Sequence, residues 1–160
     1  MRALSVLPAM VLAVLTTACV ADPQPPPRPL PRTTLTIDAN GRAVKFDVEV
    51  AGDWRSQEYG LMNRKYLAPK AGMLFDFHIP QSVSFWMEDT LIPLDMIFIK
   101  ADGTISSIAP DAVPMSRASI PSLEPVRAVL EINGGEAAKL GIFPGQKVRT
   151  PAFDTHPATH

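Results

Sequence analysis

The chain has 160 residues, of which 46% are hydrophobic and 19% are charged, and this balance excludes disorder along the whole length. Fifteen lysines and arginines oppose sixteen aspartates and glutamates. The net charge of -1 gives no support for nucleic-acid binding, which usually needs a basic face. A single cysteine excludes an internal disulfide and any metal site built from several thiolates.

The first eighteen residues have the pattern of a signal peptide. A positive start at Arg2 precedes residues 4–15, which are apolar except for Ser5. That length suits the core of a signal peptide and is too short for a helix that spans a bilayer. We therefore expect residues 1–18 to be removed on export.

Cys19 follows two threonines and Ala18. Small residues before a lone cysteine resemble the lipobox of bacterial lipoproteins, in which the cysteine becomes the lipidated first residue of the mature chain. We expect lipidation at Cys19. Ordinary secretion, with cleavage after Ala18 or Ala21, stays open as the alternative.

Residues 19–32 combine the expected lipidation site with a proline-rich linker. Six of the ten residues at 22–31 are proline, which favours an extended polyproline II segment. At roughly 3.1 Å per residue this segment would hold a domain about 30 Å from its attachment point. Such a spacer suits a protein that stands off a membrane.

A single β-rich domain is predicted over residues 33–150. It opens with a hairpin, because residues 33–37 are rich in β-formers and Asn40-Gly41 takes positive φ cheaply. Apolar residues then alternate with charged ones over residues 44–50, which is the period of a half-buried strand. Asp53 predicts the N-cap of a helix over residues 54–64, and Gly60 within it indicates close backbone packing.

Short strands account for most of the remaining pattern. They are predicted at residues 73–77, 82–87, 94–100, 104–109, 126–132 and 146–149. Residues 110–125 predict a long loop, residues 135–140 a second helix that ends at Gly141, and residues 151–160 a flexible tail. Short connections imply antiparallel pairing. We therefore predict an α+β, mainly antiparallel β fold: a small twisted sheet closing toward a barrel, with two short helices.

An ordered set of motifs covers most of this domain. The motifs are Tyr59-Gly60-Leu61-Met62 with Arg64, Ala71-Gly72-Met73-Leu74-Phe75, Ser84-Phe85-Trp86-Met87, Asp89-Thr90-Leu91-Ile92-Pro93-Leu94-Asp95, Val129-Leu130-Glu131, and Gly141-Ile142 with Gly145. Together they resemble the prokaryotic domain-of-unknown-function family numbered 192. The chain departs from the family pattern at Asn63, where an aromatic is usual, and at Glu88-Asp89, where Lys-Asn is frequent. The resemblance implies a compact, often exported β-rich domain, and it supplies no reaction.

The candidate site residues are Trp86, Glu88, Asp89, Asp95, Arg64 and Glu131. Asp95 and Glu131 fall in otherwise apolar strands, where a carboxylate without a partner is costly. Arg64 is a natural counter-ion, because its planar fork binds a carboxylate through two donors. One interpretation is therefore structural: Arg64, Asp95 and Glu131 form a buried ion pair or cap loop amides.

Three functional interpretations stay open beside it. Trp86 would stack on a sugar ring while carboxylates accept its hydroxyls. Alternatively, Asp95 with Glu131 or Glu88 would act as the acid and base of a small hydrolase. A hard cation at Glu88, Asp89 and Asp95 is the third interpretation. A binding module predicts Trp86 on an open surface, whereas an enzyme predicts two carboxylates facing one cleft, one with a raised pKa.

The sequence thus indicates an exported binding or accessory module in the bacterial cell envelope or periplasm. Its expected partners are the membrane, through the anchor at Cys19, and an envelope glycan or a protein. We expect no nucleic-acid partner, no metal and no cofactor. A carboxylate-dependent hydrolase and a periplasmic protein without an anchor remain the alternatives.

Overall fold

The computed structural model describes residues 29–155. The predicted signal peptide, Cys19 and most of the proline-rich linker lie outside this range. Within it, the helices are all too short to cross a bilayer.

Nine strands and three short helices make up the domain. In chain order they are β1 (Arg32–Ala39), β2 (Arg42–Ala51), α1 (Trp54–Tyr59), β3 (Ala71–Gln81), β4 (Ser84–Phe85), β5 (Leu94–Ile99), β6 (Ile105–Ala112), β7 (Ile120–Pro121), β8 (Val126–Asn133), α2 (Glu136–Leu140), β9 (Val148–Arg149) and α3 (Ala152–Thr155). Seven strands form one sheet in the order β6-β5-β8-β3-β2-β1-β9, while β4 and β7 pair separately. The large sheet curls into a half-barrel, which confirms the predicted mainly antiparallel β fold.

The first hairpin follows directly from its turn. β1 and β2 pair along their length from Arg32↔Glu49 to Ala39↔Arg42. Asn40 and Gly41 both have positive φ, at 56° and 79°. A two-residue turn with this geometry matches the right-handed twist of the flanking strands.

Other elements differ from the sequence prediction. Helix α1 ends at Tyr59, five residues before the predicted end, because the chain turns at Gly60 with φ of 50°. The strand predicted at residues 82–87 shrinks to β4, and the predicted loop at 110–125 contains the end of β6 and all of β7. Helix α3 lies where a flexible tail was predicted. β2 and β3 run parallel, since the segment between them crosses from one end of the sheet to the other.

Both faces of the sheet are covered, so the domain has two apolar clusters. The first holds alternate residues such as Leu74, Ile97 and Leu130. The second holds their neighbours, including Met73, Met96 and Val129. Period-two alternation sends neighbouring side chains to opposite faces, and the central strands are therefore apolar throughout.

The two outer strands of the sheet meet at one end of the half-barrel. Ile105 at the start of β6 donates its N–H to the carbonyl of Gln146 at 2.9 Å, and Val148 in β9 donates to Gly103 at 2.8 Å. Thr104 and Lys147 form an antiparallel bridge between these bonds. The sheet thus closes partly on itself.

Candidate functional site

A cavity of about 330 Å³ opens over the face of the sheet that carries the second apolar cluster. Fifteen residues line it. Five are aromatic and three are acidic: Tyr59, Phe75, Phe77, Phe85 and Trp86, and Glu58, Glu88 and Glu131. We call this cavity the aromatic pocket. Its size and mixed lining are those of a small-molecule site.

Helix α1 forms one wall of the aromatic pocket, and its start is fixed by a capping box. The Asp53 carboxylate accepts the N–H of Ser56 at 2.9 Å, while the Asp53 N–H donates to the Ser56 hydroxyl at 3.3 Å. At the other end, a Cβ on Gly60 would lie 3.2 Å from Phe75 Cζ. Glycine therefore lets the chain pass close to the aromatic floor, as the sequence indicated.

Phe85 organises the opposite wall. Its ring packs edge-on against Phe75 at 5.1 Å, Phe98 at 6.3 Å and Phe77 at 6.5 Å between centroids. Such T-shaped pairs are the favoured geometry of aromatic rings. The next residue, Trp86, is 53% exposed at the rim, as the binding interpretation requires.

Glu131 lies at the bottom of the aromatic pocket. It is paired across the sheet with Met73 on β3 and Met96 on β5, so these two apolar side chains flank it on the same face. Only 4% of its surface is exposed. Burial raises the pKa of Glu131 to about 8, and no charge or hydrogen-bond donor among the described residues contributes to this shift. The side chain is therefore a neutral carboxylic acid at pH 7.

Two further carboxylates stand nearer to solvent. Glu88 is half-buried and forms an ion pair with the exposed Arg117. Glu58 is exposed on helix α1. The predicted residues Trp86, Glu88 and Glu131 thus line one concavity.

Asp95 has a different role. Its carboxylate accepts three backbone N–H groups at 2.8 Å each, from Asp111, Gly135 and Ala137. These bonds hold the end of β6 and the start of helix α2 against β5. Asp95 caps loop amides, as the structural interpretation had it, and it does not face the aromatic pocket.

The predicted pairing of Arg64 with Asp95 or Glu131 is wrong. Arg64 binds Glu49 through both arms of its guanidinium group, at 2.7 and 2.6 Å. This contact holds the pKa of Glu49 below its ordinary value. A buried ion pair occurs elsewhere, between Asp76 and Arg127 at 3.4 Å.

Asp89 is also outside the aromatic pocket. It is exposed, with φ of 53°, and its carbonyl accepts the N–H of Asn63 at 2.8 Å. Asp89, Asp95 and Glu88 do not converge. Within residues 29–155, no group of three histidine, cysteine or acidic side chains is placed to hold a metal ion.

Sequence reasoning missed most of the aromatic wall. Tyr59, Phe77 and Phe85 were not proposed as site residues, because aromatic residues in helices and strands look like ordinary core. The signal that was available is the spacing of Phe75 and Phe77, which places both on the face of β3 that carries Met73.

Residues 35–150 match DUF192, described as Uncharacterized ACR, COG1430. A protein of Sinorhizobium meliloti 1021 that has been proposed as a transcription regulator is 43% identical. The match covers 78% of this chain and 97% of that one, with a TM-score of 0.75. A protein of unknown function from Novosphingobium aromaticivorans DSM 12444 is 39% identical over 84% of this chain and 98% of its own, with a TM-score of 0.74. None of the curated proteins compared with the chain matches it.

Proposed function

We propose a function for this chain, which belongs to the uncharacterised DUF192 family, from the residues that line its aromatic pocket. The domain is a binding module for a small ring-bearing ligand, a sugar of the cell envelope. The observation that carries this proposal is the position of Trp86, half exposed at the rim of a concavity that also contains Glu88 and Glu131.

The chemistry of the lining suits a sugar. The apolar face of a pyranose ring stacks on an indole, and its hydroxyl groups need several polar partners around the edge. Tyr59, Ser84, Glu88 and Thr90 supply hydroxyl and carboxylate groups on the lining. A net charge of -1 does not favour the nucleic-acid ligand that a transcription regulator needs.

We infer that the module lies outside the cytoplasm, held to a membrane through Cys19. The sequence of residues 1–31 supports this location, and so does the point at which this segment meets the domain. Val50 donates its N–H to the carbonyl of Pro31 at 2.8 Å, and Leu30 packs against the second apolar cluster. The proline-rich linker therefore ends directly at the sheet.

Tryptophan fluorescence tests the binding proposal. The chain has two tryptophans, and Trp54 is 73% exposed and outside the pocket lining. In the Trp54→Phe variant, Trp86 is the sole reporter. We expect a saturable emission change with tetrameric β-linked sugars. The Trp86→Phe variant keeps Trp54 and should show no such change, with at least tenfold weaker binding by calorimetry. Absence of binding to every sugar tested would remove the proposal.

A hydrolase is the second candidate, and one observation favours it. Glu131, with its raised pKa, shares the pocket with Glu88, which is the pattern expected of an acid and a second carboxylate. Glu131 would donate its proton to a glycosidic oxygen, while Glu88 would activate water or attack the sugar. Release of reducing ends from a bound tetramer, abolished in Glu131→Gln, would establish it. Binding of the tetramer without release of reducing ends would exclude the hydrolase and support the binding module.

Metabolic labelling with a fatty-acid analogue tests the anchor. We expect label in the wild-type chain and none in Cys19→Ser, because only the cysteine can be acylated at this position. Equal label in both proteins would exclude lipidation at Cys19. An exported wild-type chain without label would establish the soluble periplasmic form.

A further inference from the structure

Acidic and aromatic side chains line the aromatic pocket, and no basic side chain among the described residues does. Three carboxyl groups and five aromatic rings face it, and none of its fifteen described lining residues is lysine or arginine. The face of an aromatic ring is negative and its edge is positive, and an ionised carboxylate adds a full negative charge. An anion would therefore find no basic partner among the described lining residues, whereas a cation would find carboxyl groups.

The burial of Glu131 makes the absence of a basic residue from the described lining important for ligand binding. A buried carboxyl is costly, and cores normally supply it with a cation or with amide donors. Asp95 accepts three backbone N–H groups, and Asp76 is paired with Arg127. Glu131 has Met73 and Met96 beside it, and burial alone accounts for its ionisation behaviour. The described residues therefore give the Glu131 carboxyl neither a cation nor an amide donor, and a bound ligand could supply its partner.

We propose that the ligand carries an organic ammonium group and that this group binds inside the aromatic pocket against Glu131. The inference rests on the proposed function, within which the ligand is an amino sugar whose amine is not acetylated. The sugar ring would stack on Trp86 at the rim, and the ammonium group would lie against the buried Glu131.

Binding of this ligand transfers one proton to water. The neutral Glu131 carboxyl releases its proton, and the resulting carboxylate pairs with the ammonium group, so that charge balances. The other titratable groups that face the pocket are Glu58 and Tyr59 on helix α1, and Glu88, which Arg117 neutralises. Glu58 adds attraction from the rim without competing for the buried position.

Isothermal titration calorimetry at pH 6.5 tests the inference with three matched tetramers: a β-linked glucosamine tetramer, its fully N-acetylated form, and cellotetraose. Titrations in phosphate and in imidazole buffer measure proton release. We expect the amine form to bind at least tenfold tighter and to release close to one proton. The Glu131→Gln variant should lose both the preference and the release, while Trp54→Phe should keep them.

The outcomes separate the two proposals. Equal or tighter binding of the acetylated or neutral tetramer, without proton release, would overturn the ammonium inference and leave the sugar-binding module. Absence of binding to all three would remove the module itself. Butylammonium supplies the charge without a sugar. If butylammonium binds as tightly as the glucosamine tetramer, the ammonium site is supported and the proposal of a sugar ligand is excluded.

Discussion

Asp95 and Glu131 show how a carboxyl group acquires opposite properties on two neighbouring strands. Both carboxyls lie in buried positions of neighbouring strands, but on opposite faces of the sheet, because Asp95 is paired with Ile132 and Glu131 with Met96. Asp95 meets the N-terminal amides of helix α2, whereas Glu131 meets apolar side chains and a cavity. Their sequence contexts, LDMI and VLEI, do not distinguish these environments.

Replacing Asp95 should destabilise the fold. In Asp95→Asn one oxygen becomes an amide nitrogen that faces a backbone donor, so at least one buried N–H loses its acceptor. We expect a loss of about 2–3 kcal/mol in the free energy of unfolding, measured by urea denaturation. The matched control is Asp47→Asn, an exposed partner of Arg32, with an expected loss below about 1 kcal/mol. Similar losses in both variants would contradict a capping role.

Glu131 should make the stability depend on pH. Its pKa is about 8 in the folded state, and an unfolded glutamate titrates near its ordinary value, about 4.3. Between about pH 5 and 8 the folded chain keeps a proton that the unfolded chain has released. Stability therefore falls as pH rises, by about 1.4 kcal/mol per pH unit from this group, and levels off above pH 8.

The Glu131→Gln variant removes this slope. Urea denaturation at pH 5, 6, 7 and 8 should show the variant gaining stability relative to the wild type as pH rises. The Glu88→Gln variant, at the rim beside Arg117, serves as the control and should follow the wild type. Parallel curves for wild type and Glu131→Gln would contradict the buried position of this acid.

At the scale of elements, the sequence predicts a turn or a helix start correctly where a few adjacent residues determine the structure. The Asn40-Gly41 turn and the Asp53 cap were both predicted and are confirmed. The parallel pairing of β2 with β3 was not predictable in this way, because it depends on where residues 54–70 cross the sheet. The same holds for β4 and β7, which are 34 residues apart and too short to show a period.

The site was predictable to a similar extent. Trp86, Glu88 and Glu131 stand out as polar or aromatic residues in unusual positions, and the structure brings them to one cavity. The partner of Arg64 did not stand out. Glu49 belongs to an alternating strand whose charged residues were expected to face water, so nothing marked it as an ion-pair partner.

Helix α1 should depend on its cap. Asp53→Ala removes the acceptor for the Ser56 N–H and should cost about 1 kcal/mol, while Asp53→Asn keeps an oxygen there and should cost a few tenths. Since α1 carries Glu58 and Tyr59, the alanine variant should also weaken sugar binding. Thermal unfolding and calorimetry check both effects. An alanine variant as stable as the asparagine variant would rule out a stabilising cap.

At the scale of the whole molecule, Gly103 controls how the half-barrel closes. Gly103 and Gly41 share a φ of 79°, but a Cβ at Gly103 would lie 2.6 Å from the Val148 carbonyl oxygen, while one at Gly41 meets nothing within 4 Å. Gly41→Ala should cost about 1 kcal/mol from its backbone conformation alone. Gly103→Ala should cost about 2 kcal/mol more, because the contact with β9 must open. Equal losses in urea denaturation would argue against this closure.

The joined outer strands affect how neighbouring copies of the chain behave. Molecules tethered to one surface meet more often than freely diffusing ones. Unpaired edge strands can turn such encounters into domain-swapped dimers or fibrils. Here Ile105 and Gln146 already hydrogen-bond each other, as do Gly103 and Val148. If the proposed anchor at Cys19 crowds copies on a membrane, we expect them to find few unpaired backbone groups at this end of the sheet, and so to collide and separate again.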